Sequence, residues 1–311
     1  MLALTSAASL AQGSWPAKPV RIVVPFPPGG TTDVAARLLS EPLGRALGQP
    51  LIVENRAGAN GNVGAAEVAR STTDGHIWLM AASGTLVINP FVYAKAAFDV
   101  GKDFVPVSLV LRSPLVILAH PSLGVKTLAE LIALAKARPK KIAYGSPAIA
   151  STSHLAAELF AQRAGIELNH VPYKGSSPMI QDLLGGQVQL AFDTLASSIA
   201  HVQSGRLIAL AVTSAKPVDQ LVGVPPVSIT LPGFEAEGWI AMLAPSGTAK
   251  PVVERMAAEI DSIVHRPEIV EKFRQMGAEP AGGGAPFLQS FLASETAKWK
   301  DVVVRTGVKL D

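Results

Sequence analysis

Short, almost unbroken apolar runs alternate with helical patterns along most of this chain, and each handover passes through a turn rich in Gly, Pro or hydroxyl residues. "VRIVVPF" leads into "TDVAARLLSEPLGRALG"; "LIVENR" leads through a Gly-rich turn into "VGAAEVARS"; "HIWLMAAS" follows. Runs that are apolar at successive positions suit strands covered on both faces, where period-2 alternation is lost. Strands that alternate with helices predict right-handed βαβ units and a parallel sheet. Gly stands just past several of the helical patterns, where a left-handed C-cap needs it.

The rhythm changes near Phe104. "VPVSLVLRSPLVILAHP" is strand-like throughout, with no helix inside it. A second α/β series then runs from "TLAELIALAKARP" through "KIAYGS", "STSHLAAELFAQRAG", "LNHVPY", "SPMIQDLLGG" and "VQLAFDT" to "LIALAVTS". After Leu231-Pro232-Gly233, "GWIAMLAPSG" is a further strand, and three helical segments close the chain. The expected fold class is α/β: two doubly wound α/β domains joined by two crossing strands. The expected division is 15–110 with 235–311 for the first domain and 111–234 for the second, with a ligand cleft between them. Open parallel sheets bind ligands outside the carboxyl ends of their strands, so the strand-to-helix turns are the places to look.

Composition removes several classes of function. With 49% hydrophobic and 16% charged residues, a chain of 311 has ample core. The net charge is only +3, and Lys and Arg are scattered without interleaved aromatics, so no nucleic-acid partner is expected. The absence of Cys excludes disulfides, Cys-ligated zinc, iron–sulfur clusters and thiol catalysis. The six His residues show no metal-ligand spacing, and neither a metal nor a cofactor is expected. Residues 1–14 read as a signal-peptide remnant or unstructured leader, since Ser9-Leu10-Ala11 sets small residues at the positions a signal peptidase reads.

Candidate ligand contacts follow from the turns. In the first, Phe26, Pro27, Gly29, Gly30 and Thr31 lie between a strand and a helix; Thr31 or Thr32 is placed to cap that helix, with Asp33 in its first turn. Free N–H groups and the helix dipole favour an anion there, and a loop without Lys suits a carboxylate better than a triphosphate. Ser83, Gly84 and Thr85 follow the next strand; Ser146, Ser151, Thr152 and Ser153 follow "KIAYG"; Asp193 ends "VQLAF". Asp193 either faces the cleft or caps the helix after it. "GANGNVG" spaces Gly58, Gly61 and Gly64 as G-x-x-G-x-x-G, which is not the dinucleotide fingerprint.

Several of these stretches resemble one family. "WPAKPVRIVVPFPPGGTTDVAARLLSEPLGRALGQPLIVENRAGANGNVGAAEVA", "DGHIWLMAASGTLVINPFVY", "HVPYKGSSPMIQDLLGGQVQLAFD" and "GWIAMLAPSGTAKPVVERM" occur in the order found in the Bug-type periplasmic solute receptors of tripartite tricarboxylate transporters. The resemblance runs from about Trp15 to the C-terminus. It implies a two-domain clamp of the periplasmic-binding-protein kind, which binds a small organic carboxylate and delivers it to membrane permease subunits; the receptor is expected to be a monomer. It also implies that the turn at Phe26, Pro27, Gly29 and Gly30 holds one carboxylate, partly through ordered water. The turns at Ser83–Thr85 and Ser146–Ser153 would complete the pocket, and Asp193 would tune it. The chain departs from the family pattern at Gly75-His76-Ile77 and at Pro147 and Ile149, whose apolar character would favour an aromatic or branched acid.

Two other readings remain open at this stage. Ser151, His154 and Asp193 contain the residue types of a hydrolytic triad, although no G-x-S-x-G elbow is present. A ligand-sensing subunit of a signalling system would need the same clamp.

Overall fold

The computed structural model describes residues 15–95 and 97–310; the leader expected at 1–14 lies outside them. The first series comprises β1 (Val20–Val24), α1 (Thr31–Leu47), β2 (Leu51–Asn55), α2 (Asn62–Ala69) and β3 (Ile77–Ala82). A π-helical turn at Gly84–Ile88 then leads into α3 (Asn89–Val92), α4 (Val100–Asp103) and β4 (Phe104–Ser113). The second series is β5 (Leu115–Ala119), α5 (Leu128–Ala137), β6 (Ala143–Ser146), α6 (Thr152–Ala164), β7 (Asn169–Pro172), α7 (Ser176–Leu184), β8 (Leu190–Thr194), α8 (Leu195–Gln203) and β9 (Ile208–Val212). The chain closes with β10 (Gly238–Pro245), α9 (Lys250–Val264), α10 (Pro267–Gln275), β11 (Glu279–Gly282) and α11 (Gly284–Thr306).

Among the described residues these strands build two sheets, one ordered β11-β4-β10-β3-β1-β2 and the other β7-β6-β8-β5-β9. Two α/β halves are therefore present, as the alternation predicts. The expectation of parallel sheets is corrected: both are mixed. β1 pairs in parallel with β2 and β3, and β6 with β7 and β8, but β10 runs antiparallel to β3 and β4, and β5 antiparallel to β8 and β9. β5 and β10, the strands that follow a crossing from the other half, are reversed, and the edge strand β11 runs with β10. A βαβ helix carries the chain back to the starting edge of a sheet, whereas β5 and β10 arrive with no such return. β11, antiparallel to β4 at the sheet edge, was not anticipated. "EPAG" has no apolar run, and its Pro280 suits an edge strand.

The two crossings run side by side. β4 passes to β5 through the single residue Pro114. On one side Ser113 is opposite Gly238 of β10; on the other the Leu115 N–H donates to Thr213 Oγ1 at 2.9 Å and the Thr213 N–H to the Leu115 carbonyl at 2.9 Å. Arg112 reaches Glu235 at 2.8 Å and Glu237 at 3.2 Å, and its guanidinium lies 4.8 Å above the Phe291 ring. Apolar residues of both halves, among them Leu109, Leu115, Phe160, Phe192, Trp239 and Trp299, form one continuous cluster. Glu295 is buried there because it accepts from both indoles, Trp239 at 2.9 Å and Trp299 at 3.0 Å, and pairs with Lys298. Among the described residues no helix is long and apolar enough to cross a membrane.

Candidate functional site

Register places the candidate turns. β1 and β3 are parallel with Val23 opposite Leu79, so the turns after them, at Phe26–Thr31 and Ser83–Thr85, leave one edge of the six-stranded sheet side by side. In the other half Ser146 lies opposite Pro172 and Gly145 opposite Ala191, so the turns after β6, β7 and β8 also share an edge. The two edges meet: Ser83 Oγ is 3.3 Å from Thr152 Oγ1. This contact joins a turn of the first half to the first residue of α6 in the second.

At the first turn, Gly30 precedes α1 with an ordinary extended backbone, and Val34 gives the first helical bond to its carbonyl at 2.9 Å. The N–H groups of Thr31, Thr32 and Asp33 thus have no acceptor within the helix. The Thr cap expected here is corrected: α1 already begins at Thr31, so neither Thr31 nor Thr32 flanks it as a cap. Asp33 fills the capping role from inside, accepting from the Gly29 N–H at 2.8 Å, from Asn55 Nδ2 at 2.9 Å and from Arg37. Burial alone would raise the Asp33 carboxyl; those three partners outweigh it and hold the group below the ordinary carboxylate range. The Gly29 amide is therefore already used, and Gly29 is glycine because φ is +85°. Phe26 gives its carbonyl to Asn55 at 3.0 Å, and Pro27, Gly30 and Thr31 are exposed.

The second turn is held by a partly buried amide network whose members lie apart in the sequence. Asn60 donates to Asn89 Oδ1 at 2.9 Å; Asn89 donates to the Asn60 carbonyl and to Asn62 Oδ1, both at 2.8 Å; Thr85 Oγ1 donates to the Asn60 carbonyl at 3.0 Å. Thr85 is fully buried and acts through this network rather than at the edge. Asn60 has φ of +52°, which Asn tolerates better than most residues, and a Cβ on Gly61 would fall 2.3 Å from Thr85 Oγ1. "GANGN" thus serves close packing.

In the second half Ser151 caps α6 through its Oγ, which accepts the His154 N–H at 3.2 Å and donates to the Ala148 carbonyl at 2.8 Å. The N–H groups of Thr152 and Ser153 remain at the helix end. Ser153 and Ser146 are buried, Ser146 Oγ lying 2.7 Å from His170 Nε2. Asp193 is fully buried and accepts from Ser176 Oγ at 2.8 Å and Ser197 Oγ at 2.6 Å, which ties the starts of α7 and α8 together. Burial pushes its carboxyl above the ordinary value against those bonds. Both alternatives weighed for Asp193 are thereby narrowed, since its carboxylate serves two helix starts and does not reach the surface. Nor are Ser151, His154 and Asp193 wired as a triad, because His154 Nδ1 accepts from the Ala150 N–H at 3.1 Å and Asp193 is held by serines.

These turns sit on a chain whose residues 35–308 match the family described as "Tripartite tricarboxylate transporter family receptor". The chain belongs to the tripartite tricarboxylate transporter receptor family. It is 38% identical to the protein BugT of Bordetella pertussis over 306 residues, 98% of this chain and 94% of that one. It is also similar to R. palustris Rpa4515, solved with adipate, at 37% identity and a TM-score of 0.79, covering 94% of this chain and 98% of that one. MatC of Rhodopseudomonas palustris, solved with malate, is 28% identical with a TM-score of 0.73, covering 93% of this chain and all of that one. The two-domain clamp architecture of this receptor family is the fold expected from the sequence.

Proposed function

We propose that this receptor is periplasmic, that it binds a small organic carboxylate between its two halves without catalysing a reaction, and that it passes the ligand as a monomer to the permease subunits of its transporter. The observation that carries the reading is the direct approach of Ser83 to Thr152 across the halves at 3.3 Å. It brings the α6 start, with two free N–H groups, against the sheet edge from which α1 also starts. Residues 25–32 and 146–153 contain no Lys or Arg, so an anion held there meets backbone amides, hydroxyls and helix dipoles. Structural relatives with adipate and malate support a carboxylate of the dicarboxylate class.

In this reading the halves divide at Pro114 and within 214–237, close to the expected domain limits. Gly30, Thr31, Ser83, Thr152 and Ser153 face the ligand, together with Phe26, Pro27 and Ser151. Gly29, Gly84, Thr85, Ser146 and Asp193 shape the turns behind them.

Calorimetry against mono-, di- and tricarboxylates, amino acids and aromatic acids tests the proposal, and binding of none of them would overturn it. Gly30→Ala places the α1 turn. Gly30 has ordinary φ, and a Cβ there would lie 3.7 Å from the Pro27 carbonyl, an ordinary contact. The variant is expected to unfold with the wild type, within about 0.5 kcal/mol, while binding the acid at least ~10-fold more weakly. Wild-type affinity in G30A would remove the α1 turn from the site.

A further inference from the structure

A stack of rings lies against the Ser146–Ser153 loop. His154 and His170 face each other with centroids 3.9 Å apart and planes 12° apart, and Tyr144 stacks on His170 at 4.9 Å. Each imidazole holds one end of the loop. His154 Nδ1 accepts the Ala150 N–H at 3.1 Å, and His170 Nε2 lies 2.7 Å from Ser146 Oγ, which donates to the Ala148 carbonyl at 3.1 Å. Ala150 is buried with φ of +58°, in the left-handed region that a Cβ disfavours. Two bonds hold it there: the Ser151 N–H to the Ala148 carbonyl at 3.3 Å closes the turn around it, and Nδ1 takes its buried amide. The latter bond requires Nδ1 unprotonated, with the ring proton on Nε2, which lies 3.9 Å from Glu158. The conformation of Ala150 leads directly into the Ser151 cap and hence aims the Thr152 and Ser153 amides.

We propose that His154 and His170 are positioning residues: stacked on one another, and with Nδ1 of His154 as acceptor, they lock the Ser146–Ser153 loop, with Ala150 left-handed, so that the α6 start is presented to the ligand. This rests on the carboxylate reading for what the loop binds, but not for how the loop is held. The loop is tied elsewhere by backbone bonds from Tyr173 N–H to the Ser146 carbonyl and from Gly175 N–H to the Pro147 carbonyl, at 3.0 and 2.8 Å. Those bonds fix its first two residues. At its far end the Ser151–Ala148 bonds close the turn, and the acceptor on His154 satisfies and orients the Ala150 amide inside it.

Three variants separate positioning from packing. His154→Phe keeps a ring on His170 but has no acceptor; His154→Asn keeps an acceptor near the Nδ1 position; adding Ala150→Gly to H154F removes the need for one, because Gly adopts positive φ freely. Two readouts are taken at neutral pH: exchange of the Ala150 amide by NMR, and calorimetry with adipate and with malate. H154F is expected to lose about tenfold in Ala150 protection and about tenfold in affinity, H154N to stay within about threefold of wild type, and H154F/A150G to recover affinity. Should H154F fail to fold while H154F/A150G folds, the proposal is equally supported. Unchanged Ala150 protection in H154F overturns it, as does failure of both phenylalanine variants to fold, which would assign His154 to the core. If the wild type binds neither acid, the carboxylate reading has failed for those acids and the exchange rates alone decide the positioning role.

Discussion

Acid should destabilise this protein through His154 well before its ordinary carboxylates titrate. Burial, with the neighbouring His170 adding to it, lowers His154 from an ordinary 6.5 to about 3. The groups that face it are His170, itself pushed down by burial to about 4, Tyr144, and Glu158 3.9 Å from Nε2. A histidine kept neutral in the folded state binds fewer protons there than in the unfolded chain. Stability is therefore complete well above pH 6.5 and falls as the pH drops through 6.5 towards the folded value. The slope approaches about 1.4 kcal/mol per pH unit per group, so between pH 8 and 5 His154 alone removes about 2 kcal/mol. Urea unfolding at pH 8, 6.5, 5.5 and 5 should show this loss in the wild type and about 2 kcal/mol less of it in His154→Asn, which cannot titrate. Buried carboxylates such as Asp193 and Glu237 are common to both proteins and cancel in the comparison. Parallel stability profiles for wild type and H154N between pH 6.5 and 5 would refute the reasoning.

Other substitutions test the parts that hold the edges together. Gly61→Ala drives a Cβ to 2.3 Å from Thr85 Oγ1 at φ of +95°, and should cost about 2–4 kcal/mol in thermal unfolding while also weakening ligand binding. Arg112→Met leaves Glu237, 6% exposed and already raised by burial, without its cation, and should cost about 3 kcal/mol at pH 7. The loss should shrink at pH 5, where Glu237 can take up a proton; a loss independent of pH would show that packing on Phe291, and not charge, is what Arg112 supplies.

The fold was readable from the chain because its strands are apolar on both faces and its turns carry Gly and hydroxyl residues, so periodicity and caps marked nearly every element. Strand direction was not. Whether β5 and β10 run with or against their neighbours depends on how the chain enters each sheet, and no local pattern records that. The turns at the two sheet edges were legible because helix starts advertise themselves with Gly, Ser and Thr. Which polar groups are free was hidden, since Asp33 takes the Gly29 amide and Ser176 and Ser197 take the Asp193 carboxylate. Asn60 and Asn62 had a faint signal, Asn beside Gly in a turn. His154 and His170 had none, because strand pairing and a helix start bring them together across the sequence.

The passage from β4 to β5 through Pro114 has a mechanical consequence. Proline fixes its own φ and confines the preceding Ser113 to extended conformations, so little torsional freedom is left at that step. The returning segment is held on either side of it, with Thr213 bonded to Leu115 just past β9 and Gly238 opposite Ser113 at the start of β10. If the halves close on the ligand as proposed, the motion is a swing about this stiff pin, small beside Pro114 and growing with distance from it. The length of acid admitted would be set by leverage as much as by the groups that touch it.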